Sequence, residues 1–166
     1  MHPVSFEINR LLTDCDIRRQ RRSGPGGQRR NKVETGIVIT HLPTGIRAEA
    51  SERRSQEENR RVAIFRLRIN LALQFRTPRC GDPQPSELWQ SRRLSRRVQV
   101  SAVHDDFPVL LAEALDVLAD EGMNIRRATT QLGISGSQLT KLLKLEPRAI
   151  HAVNARRTEL GLRAIR

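Results

Sequence analysis

Val33-Glu-Thr-Gly-Ile-Val-Ile-Thr-His-Leu-Pro-Thr-Gly-Ile-Arg-Ala-Glu-Ala50 carries a complete β-hairpin in its residue types. Ile37, Val38, Ile39 and Thr40 are β-branched and predict a strand over residues 33–40. His41-Leu-Pro-Thr-Gly45 supplies turn chemistry, and residues 45–50 return with Ile46, Ala48 and Ala50 on one face. His41 reads as a structural residue of that turn, because no acid or nucleophile stands at a meaningful spacing from it. Downstream, Ser51 or Ser55 can cap a helix whose first turn carries Glu57 and Glu58, and the apolar spacing predicts that it spans residues 55–75. Val62, Phe65, Ile69 and Leu73 form one stripe on it; Ile64, Leu67, Leu71 and Phe75 form a second, nearly opposite. One stripe can cover the sheet.

Upstream, residues 15–20 read as a third strand and residues 5–12 as a short helix with Phe6, Ile8, Leu11 and Leu12 available to pack. Between the strands stands Ser23-Gly-Pro-Gly-Gly-Gln28. Pro25 fixes its own φ, while the glycines can take conformations closed to other residues, so such a loop can present a backbone N–H and one amide side chain at an unobstructed tip. Arg18, Arg19, Arg21 and Arg22 precede the loop, and Arg29, Arg30 and Lys32 follow it. A bare tip inside dense positive charge suits a group that must pass between phosphates to reach a reaction centre.

The 166 residues can hold one medium domain or two small ones without staples. Cys15 and Cys80 are far apart and lack partners at ligand spacing, so a disulfide or zinc framework is not expected, and no metal or cofactor is implied. No apolar run is long enough to span a bilayer, and Glu7, Asp14 and Asp16 argue against a transit peptide; the expectation is a cytoplasmic protein with no membrane partner. The net charge is +12, and of 30 basic residues only Lys32, Lys141 and Lys144 are lysine. Arginine's planar fork binds phosphate through paired hydrogen bonds, which favours an RNA partner, although a GC-rich genome produces the same bias.

Residues 77–86, with Pro78, Gly81, Pro83 and Pro85, break regular structure and read as a linker between a domain at 1–76 and a helical module at 87–166. The module is expected to be all-α. Ser86 can cap a helix that includes Leu88, Trp89 and the run Arg92-Arg93-Leu94-Ser95-Arg96-Arg97, which is either a solvated face or an RNA-binding strip. A helix beginning at Asp105, Asp106 and Pro108 carries the stripe Phe107, Leu110, Leu111, Ala114 and Leu118, with Glu113, Asp116 and Asp120 on a polar face expected to turn away from phosphates. Over residues 124–143, Ala128, Leu132, Gly133, Ile134, Leu139 and Leu142 fall where a helix-turn-helix needs a small inner residue, a turn glycine and apolar anchors. Any two short antiparallel helices joined at a glycine give a similar string, so DNA binding and plain packing both remain open.

The order Ser23-Gly-Pro-Gly-Gly-Gln28, Asn31-Lys-Val-Glu-Thr35, His41-Leu-Pro-Thr-Gly-Ile46, Arg54-Ser-Gln56 and Asn59-Arg60 resembles the peptidyl-hydrolase domain of class I peptide chain release factors, over about residues 14–76. The resemblance implies an α+β fold in which a small sheet packs on a long helix. It matches Gly26, Gly27 and Gln28 to the family's catalytic tripeptide, in which the glycines permit a tight backbone and the glutamine acts mainly through its main-chain amide. It also implies the ribosome as partner, with contacts to large-subunit RNA and peptidyl-tRNA, and a glutamine methyltransferase acting on Gln28. Arg53, Arg54 and Arg60 are expected to contact RNA beside the loop cations, and Arg92, Arg93, Arg96 and Arg97 would extend that surface. Arg29-Arg30 departs from the hydrophobic or small residue that most relatives place before Asn-Lys. With nothing before residue 14 resembling a codon-reading domain, the chain looks like the short, codon-independent relatives that free stalled ribosomes.

The residues themselves offer no Ser-His-Asp pattern, phosphate-binding loop, Cys-His set or paired carboxylates. Any catalysis must therefore need few titratable groups. Hydrolysis of the peptidyl-tRNA ester meets that requirement, since the ester is activated and the protein has to orient a water and stabilise an oxyanion. The competing readings are a non-catalytic ribosome- or RNA-binding protein and a DNA-binding regulator built on residues 124–143. A free monomer is the default, for lack of an exposed heptad pattern.

Overall fold

The computed structural model describes residues 1–20, 35–78 and 84–165, which fall into two compact units, Pro3–Gln74 and a second made of Met1–His2 with Phe75–Arg166. The predicted glycine-rich loop, with Arg21, Arg22, Gly26, Gly27, Gln28, Arg29, Arg30 and Lys32, lies outside the described residues, as do Val33 and Glu34 of the predicted second strand and residues 79–83 of the predicted linker.

The first unit opens with a 3-10 turn at Pro3–Ser5 and helix α1 (Ile8–Thr13), in place of the single helix expected over 5–12; Glu7, at φ −50° and ψ 143°, is extended and separates the two. Strands β1 (Cys15–Gln20), β2 (Gly36–His41) and β3 (Arg47–Ala50) then form an antiparallel sheet in the order β1-β2-β3. β3 starts later than the predicted residue 45 because Gly45, at φ 69°, still belongs to the turn. Alternation follows from the pleat: Ile37 and Ile39 are buried and pair with Ala50 and Ala48, which are buried too. Full burial of a side chain such as Ile39 stabilises the unit by about 1.5–3 kcal/mol. β1, at one edge, exposes Ile17, Arg18, Arg19 and Gln20.

Helix α2 (Gln56–Gln74) packs on β2 and β3. Ser55 Oγ accepts from the Glu58 N–H at 3.4 Å, and Glu57 and Glu58 sit in the first turn, as the capping pattern predicts. Of the two stripes, Ile69 on the first and Ile64, Leu67 and Leu71 on the second are buried, whereas Val62, Phe65, Leu73 and Phe75 are half-buried. Two polar side chains of α2 reach the edge strand: Asn70 Nδ2 donates to the Arg47 carbonyl at 2.8 Å and Arg66 Nη1 to the Glu49 carbonyl at 2.9 Å. These bonds occupy edge carbonyls that would otherwise face solvent.

The second unit departs from the all-α expectation. Helix α3 (Glu87–Arg92) stops at Arg92, and the basic run continues as a two-stranded ribbon, β4 (Arg93–Leu94) paired with β5 (Arg97–Val98) around Ser95 at φ 55°. Arg93, at φ −90° and ψ 117°, is already extended, so the predicted helix through Arg97 ends before it, and the left-handed Ser95 turns the ribbon back. Helices α4 (Phe107–Asp120), α5 (Ile125–Leu132), α6 (Gly136–Lys144) and α7 (Pro147–Glu159) follow, with α4 packing on α5 and α6, and α6 on α7. Their shared core includes Trp89, Phe107, Leu110, Leu111, Leu118, Leu132, Ile134 and Leu139, all with under 2% of their surface exposed. Trp89 Nε1 donates to the Leu132 carbonyl at 2.9 Å, which satisfies the one polar atom that its burial would orphan.

Two of the three acids expected on the polar face of α4 are engaged inside the unit, and Asp120 is exposed. Asp116 is buried and receives Arg76 Nη1 at 3.1 Å and the Thr77 N–H at 3.3 Å. Glu113 accepts from both the N–H and the hydroxyl of Ser86, at 2.7 and 2.5 Å, fastening the start of α3. An acidic residue at a helix face that looks solvated in sequence is thus a fastener here, because its basic and hydroxyl partners come from a segment more than twenty residues away.

Candidate functional site

The glycine-rich loop leaves the sheet between Gln20 and Thr35, and the described residues fix both of its ends. Gln20 pairs with Gly36 in the β1–β2 register. A Cβ at Gly36 would stand 2.7 Å from the Gln20 carbonyl oxygen, a backbone atom that cannot yield without shifting the strand pairing. Gly36 is therefore where the two strands close to form a neck, and its missing side chain is required by close approach.

One residue further out, Thr35 is held by Asn59. The Asn59 side chain is fully buried, donates from Nδ2 to the Thr35 carbonyl at 2.7 Å and to the Arg53 carbonyl at 3.0 Å, and accepts the Arg53 N–H at Oδ1 at 2.9 Å. One amide thus ties three pieces of backbone together: the exit of the loop, the β3–α2 connection and the first turn of α2. Asparagine is a poor helix-interior residue, and its place four residues after the capping Ser55 is the signal that it works for something other than the helix. The motif match includes Asn59, but sequence reasoning assigned it no such bridge.

Of the predicted cations near the neck, Arg19, Arg53 and Arg54 are exposed and Arg60 is half-buried. Arg18 is exposed and meets Asp16 across 2.6 Å, a contact worth little in water. Arg66, which sequence reading left aside, pairs with Glu52 at 2.7 Å; that carboxyl lies below its usual range, with burial opposing the hydrogen bonds and the Arg66 charge that lower it. The neck therefore offers arginines on both strand connections.

His41 sits in the far turn of the same hairpin. It is buried, its Nδ1 shares a hydrogen bond of 2.8 Å with the Thr44 hydroxyl, and its backbone closes the turn with Ile46 and Gly45. Burial holds its pKa below the ordinary value against the pull of Asp14, so the ring is neutral and structural. Cys15 donates its thiol to the Leu11 carbonyl at 3.3 Å, and burial, aided by Asp14, pushes the thiol up to about 11, far from a reactive thiolate. Among the described residues no three His, Cys, Asp or Glu side chains gather as a metal site, and no helix is long and apolar enough to cross a membrane.

In the second unit the predicted basic strip separates into different uses. Arg92 clamps Asp106 at 2.5 Å and reaches His104 at 3.0 Å, an internal brace at the start of α4. Arg93 lies against Gly133, where a Cβ would collide with its Nη1. Arg96 and Arg97 are exposed on the ribbon.

Residues 4–102 match the RF-1 domain family. The match passes beyond residue 76, where the motif resemblance ends, and takes in the α3 and ribbon segment. Among curated proteins the chain is similar to the chloroplastic peptide chain release factor PrfB1 of Arabidopsis thaliana, with 48% identity over 58 residues that make up 35% of this chain and 13% of that protein. It is similar also to peptide chain release factor 2 of a Nitratiruptor species, 44% over 70 residues (41% of this chain, 19% of the relative), and to peptide chain release factor 1 of Acidiphilium cryptum, 45% over 73 residues (44% and 20%). The chain spans a fifth or less of the length of these relatives.

Proposed function

This chain belongs to the RF-1 domain family, and from that premise we propose that it hydrolyses the ester between a nascent peptide and tRNA inside the ribosome, without reading a codon. Gly26, Gly27 and Gln28 form the working tip. Water attacks the ester carbonyl; the Gln28 backbone N–H donates to the oxygen that becomes negative, and the Gln28 side chain orients the water. The water's proton leaves with the tRNA hydroxyl as the ester bond breaks, so no titratable side chain of the protein has to change state. This is consistent with the neutral His41 and the unreactive Cys15.

The observation that carries the proposal is the neck. Gln20 paired to Gly36, and Thr35 locked to Asn59, present a loop of the motif's composition from a rigid base on the sheet. Arg18, Arg19, Arg53, Arg54 and Arg60, with Arg21, Arg22, Arg29, Arg30 and Lys32 on the loop itself, are the surface for ribosomal RNA and tRNA phosphates. Gln28 is the site for a methyltransferase, and the protein works as a monomer in the cytoplasm. Residues 87–166 act as a separate module. The codon-independent part of the reading rests on the sequence resemblance to short relatives.

Peptide release from purified ribosomes carrying peptidyl-tRNA tests the proposal, with an empty A site, a sense codon and a stop codon in parallel. Wild-type protein releases peptide in all three, and Gly27→Ala lowers release by about 10²–10³-fold, the effect of losing one oxyanion donor, while ribosome binding persists. Release confined to the stop codon would remove the codon-independent part. Binding without release under every condition would leave the non-catalytic RNA-binding reading in its place.

A further inference from the structure

The segment from α5 to α6 is a built helix-turn-helix. Asn124 caps α5 by accepting the Arg127 N–H at 3.1 Å, Gly133 turns the chain at φ 65°, and Ser135 caps α6 by accepting the Gln138 N–H at 3.3 Å. Ala128, Leu132, Ile134, Leu139 and Leu142 are buried as anchors, so Ser137, Lys141 and Lys144 point outward on α6, with Gln138 and Thr140 half-exposed. Two of the three lysines of an otherwise arginine-rich chain stand on this one face.

The charge carried by the two helices themselves is of one sign. Neither α5 nor α6 contains an acid; they carry Arg126, Arg127, Lys141 and Lys144. Neighbouring acids are held by arginines: Glu121 meets Arg127 at 2.6 Å, and Glu146, at the start of α7, meets Arg148 at 2.8 Å. Of the three acids of α4 that weighed against nucleic acid in the sequence, Glu113 is fastened on Ser86 and Asp116 on Arg76, while Asp120 is exposed at the end of the helix. The β4–β5 ribbon flanks the same face. The Ser135 N–H points to the Arg96 carbonyl at 3.4 Å, and Gln99, Gln138 and Lys141 share one small groove where β5 meets α6, beside the exposed Arg96 and Arg97.

We infer that this surface binds duplex DNA, with α6 in the major groove, α5 across the adjoining backbone and the ribbon arginines on phosphates beside it. The inference stands apart from the hydrolase reading. Three observations select the partner. A helix about 10–12 Å across fits the B-form major groove, about 12 Å wide, but not the deep, narrow major groove of an RNA duplex. The leading half of α6 carries Gly136, Ser137, Gln138 and Thr140, short or amide side chains that reach base edges without blocking entry. Single-stranded RNA calls for aromatic stacking platforms, and residues 93–98 and 125–144 contain no aromatic residue.

The test is fluorescence anisotropy of the full chain with a DNA duplex of about 20 base pairs, two helical turns, and an RNA duplex of the same sequence, from about 50 to 200 mM salt. The wild type is expected to hold DNA at least about tenfold more tightly than RNA at the upper salt. Lys141→Ala/Lys144→Ala is expected to weaken DNA binding about tenfold and to lower the salt slope by about 2, as two phosphate contacts are lost, with RNA binding and thermal unfolding unchanged. Both lysines are exposed, so the double variant folds, and circular dichroism checks this. Equal affinity for the two duplexes, or a double variant with unchanged DNA affinity and slope, overturns the inference; in the first case the loop arginines, which meet either polymer alike, account for the binding.

Discussion

The two units bury polarity in different ways. Among the described residues of the sheet unit, Asn59 is buried, as are His41 and Arg68, and it is a neutral amide whose three bonds all go to backbone. The helical unit instead buries Asp116, a carboxylate matched to Arg76 and to one backbone N–H. A buried amide fixes the path of a chain without a charge to desolvate, which suits the base of a working loop. A buried ion pair recovers its desolvation cost only when the geometry is good, and it fastens one segment to another. The contrast between these two residues teaches where each is vulnerable: Asn59 through geometry, Asp116 through charge.

The largest effect is expected from breaking the amide. Asn59→Ala leaves the Thr35 and Arg53 carbonyls and the Arg53 N–H without their partner, at a cost of about 2–3 kcal/mol in urea unfolding of the sheet unit. Peptide release should fall with it, because Thr35 is the exit of the loop. Full release at a stability reduced by that amount would separate the anchoring of the loop from its work, and the comparison would lose its functional half.

A second pair of variants asks what a single methyl group does in each unit. Gly36→Ala drives a Cβ against the Gln20 carbonyl, a rigid backbone atom, so about 1–3 kcal/mol of overpacking is expected, with release impaired because the neck must widen. Gly133→Ala meets the end of the Arg93 side chain, which can swing away, so its cost of about 1–2 kcal/mol is the left-handed φ of 65°. Unfolding followed separately by sheet and helix amide exchange would show each loss in its own unit. Release should respond to Gly36→Ala and not to Gly133→Ala.

Much of this was legible in the residues. The β-branched run at Ile37–Thr40, the turn at His41 and the capped helix after Ser55 each carry local signals that tertiary contacts do not override. So does the glycine turn at Gly133. The misreadings share a cause. Arg93–Val98 has the composition of a solvated helix, and nothing local announces that Ser95 turns left-handed or that Arg92 already belongs to Asp106. Glu113 and Asp116 look like a solvent face because their partners, Ser86 and Arg76, lie far away in sequence. Asn59 was visible as part of a motif but not as a bridge, since its carbonyl partner at Thr35 lies 24 residues away. Pairing at a distance is what periodicity cannot report.

The smallest effect is a direct test of the contrast, because burial shifts His41 and Asp116 so that pH acts on their contributions with opposite sign. Burial depresses the His41 pKa, so the folded sheet unit disfavours the charged ring; this contribution to stability is present above about 6.5, the unfolded value, and is lost as the pH falls below it. Burial raises the Asp116 pKa, more than Arg76 and Thr77 lower it, so the folded helical unit binds that proton more readily than the unfolded chain. Its contribution is present below the ordinary carboxylate value of about 3.8 and is lost as the pH rises through the higher folded value. His41→Gln should therefore flatten the acid side of the sheet-unit stability profile. Asp116→Asn should remove this residue's share of the pH dependence of the helical unit, a decline across the weakly acidic range, while keeping a hydrogen bond to the Thr77 N–H. If Asp116→Asn left the pH profile of the helical unit unchanged, the Arg76 pair would offset the burial of this carboxyl, and its buried charge would not weaken the unit at neutral pH.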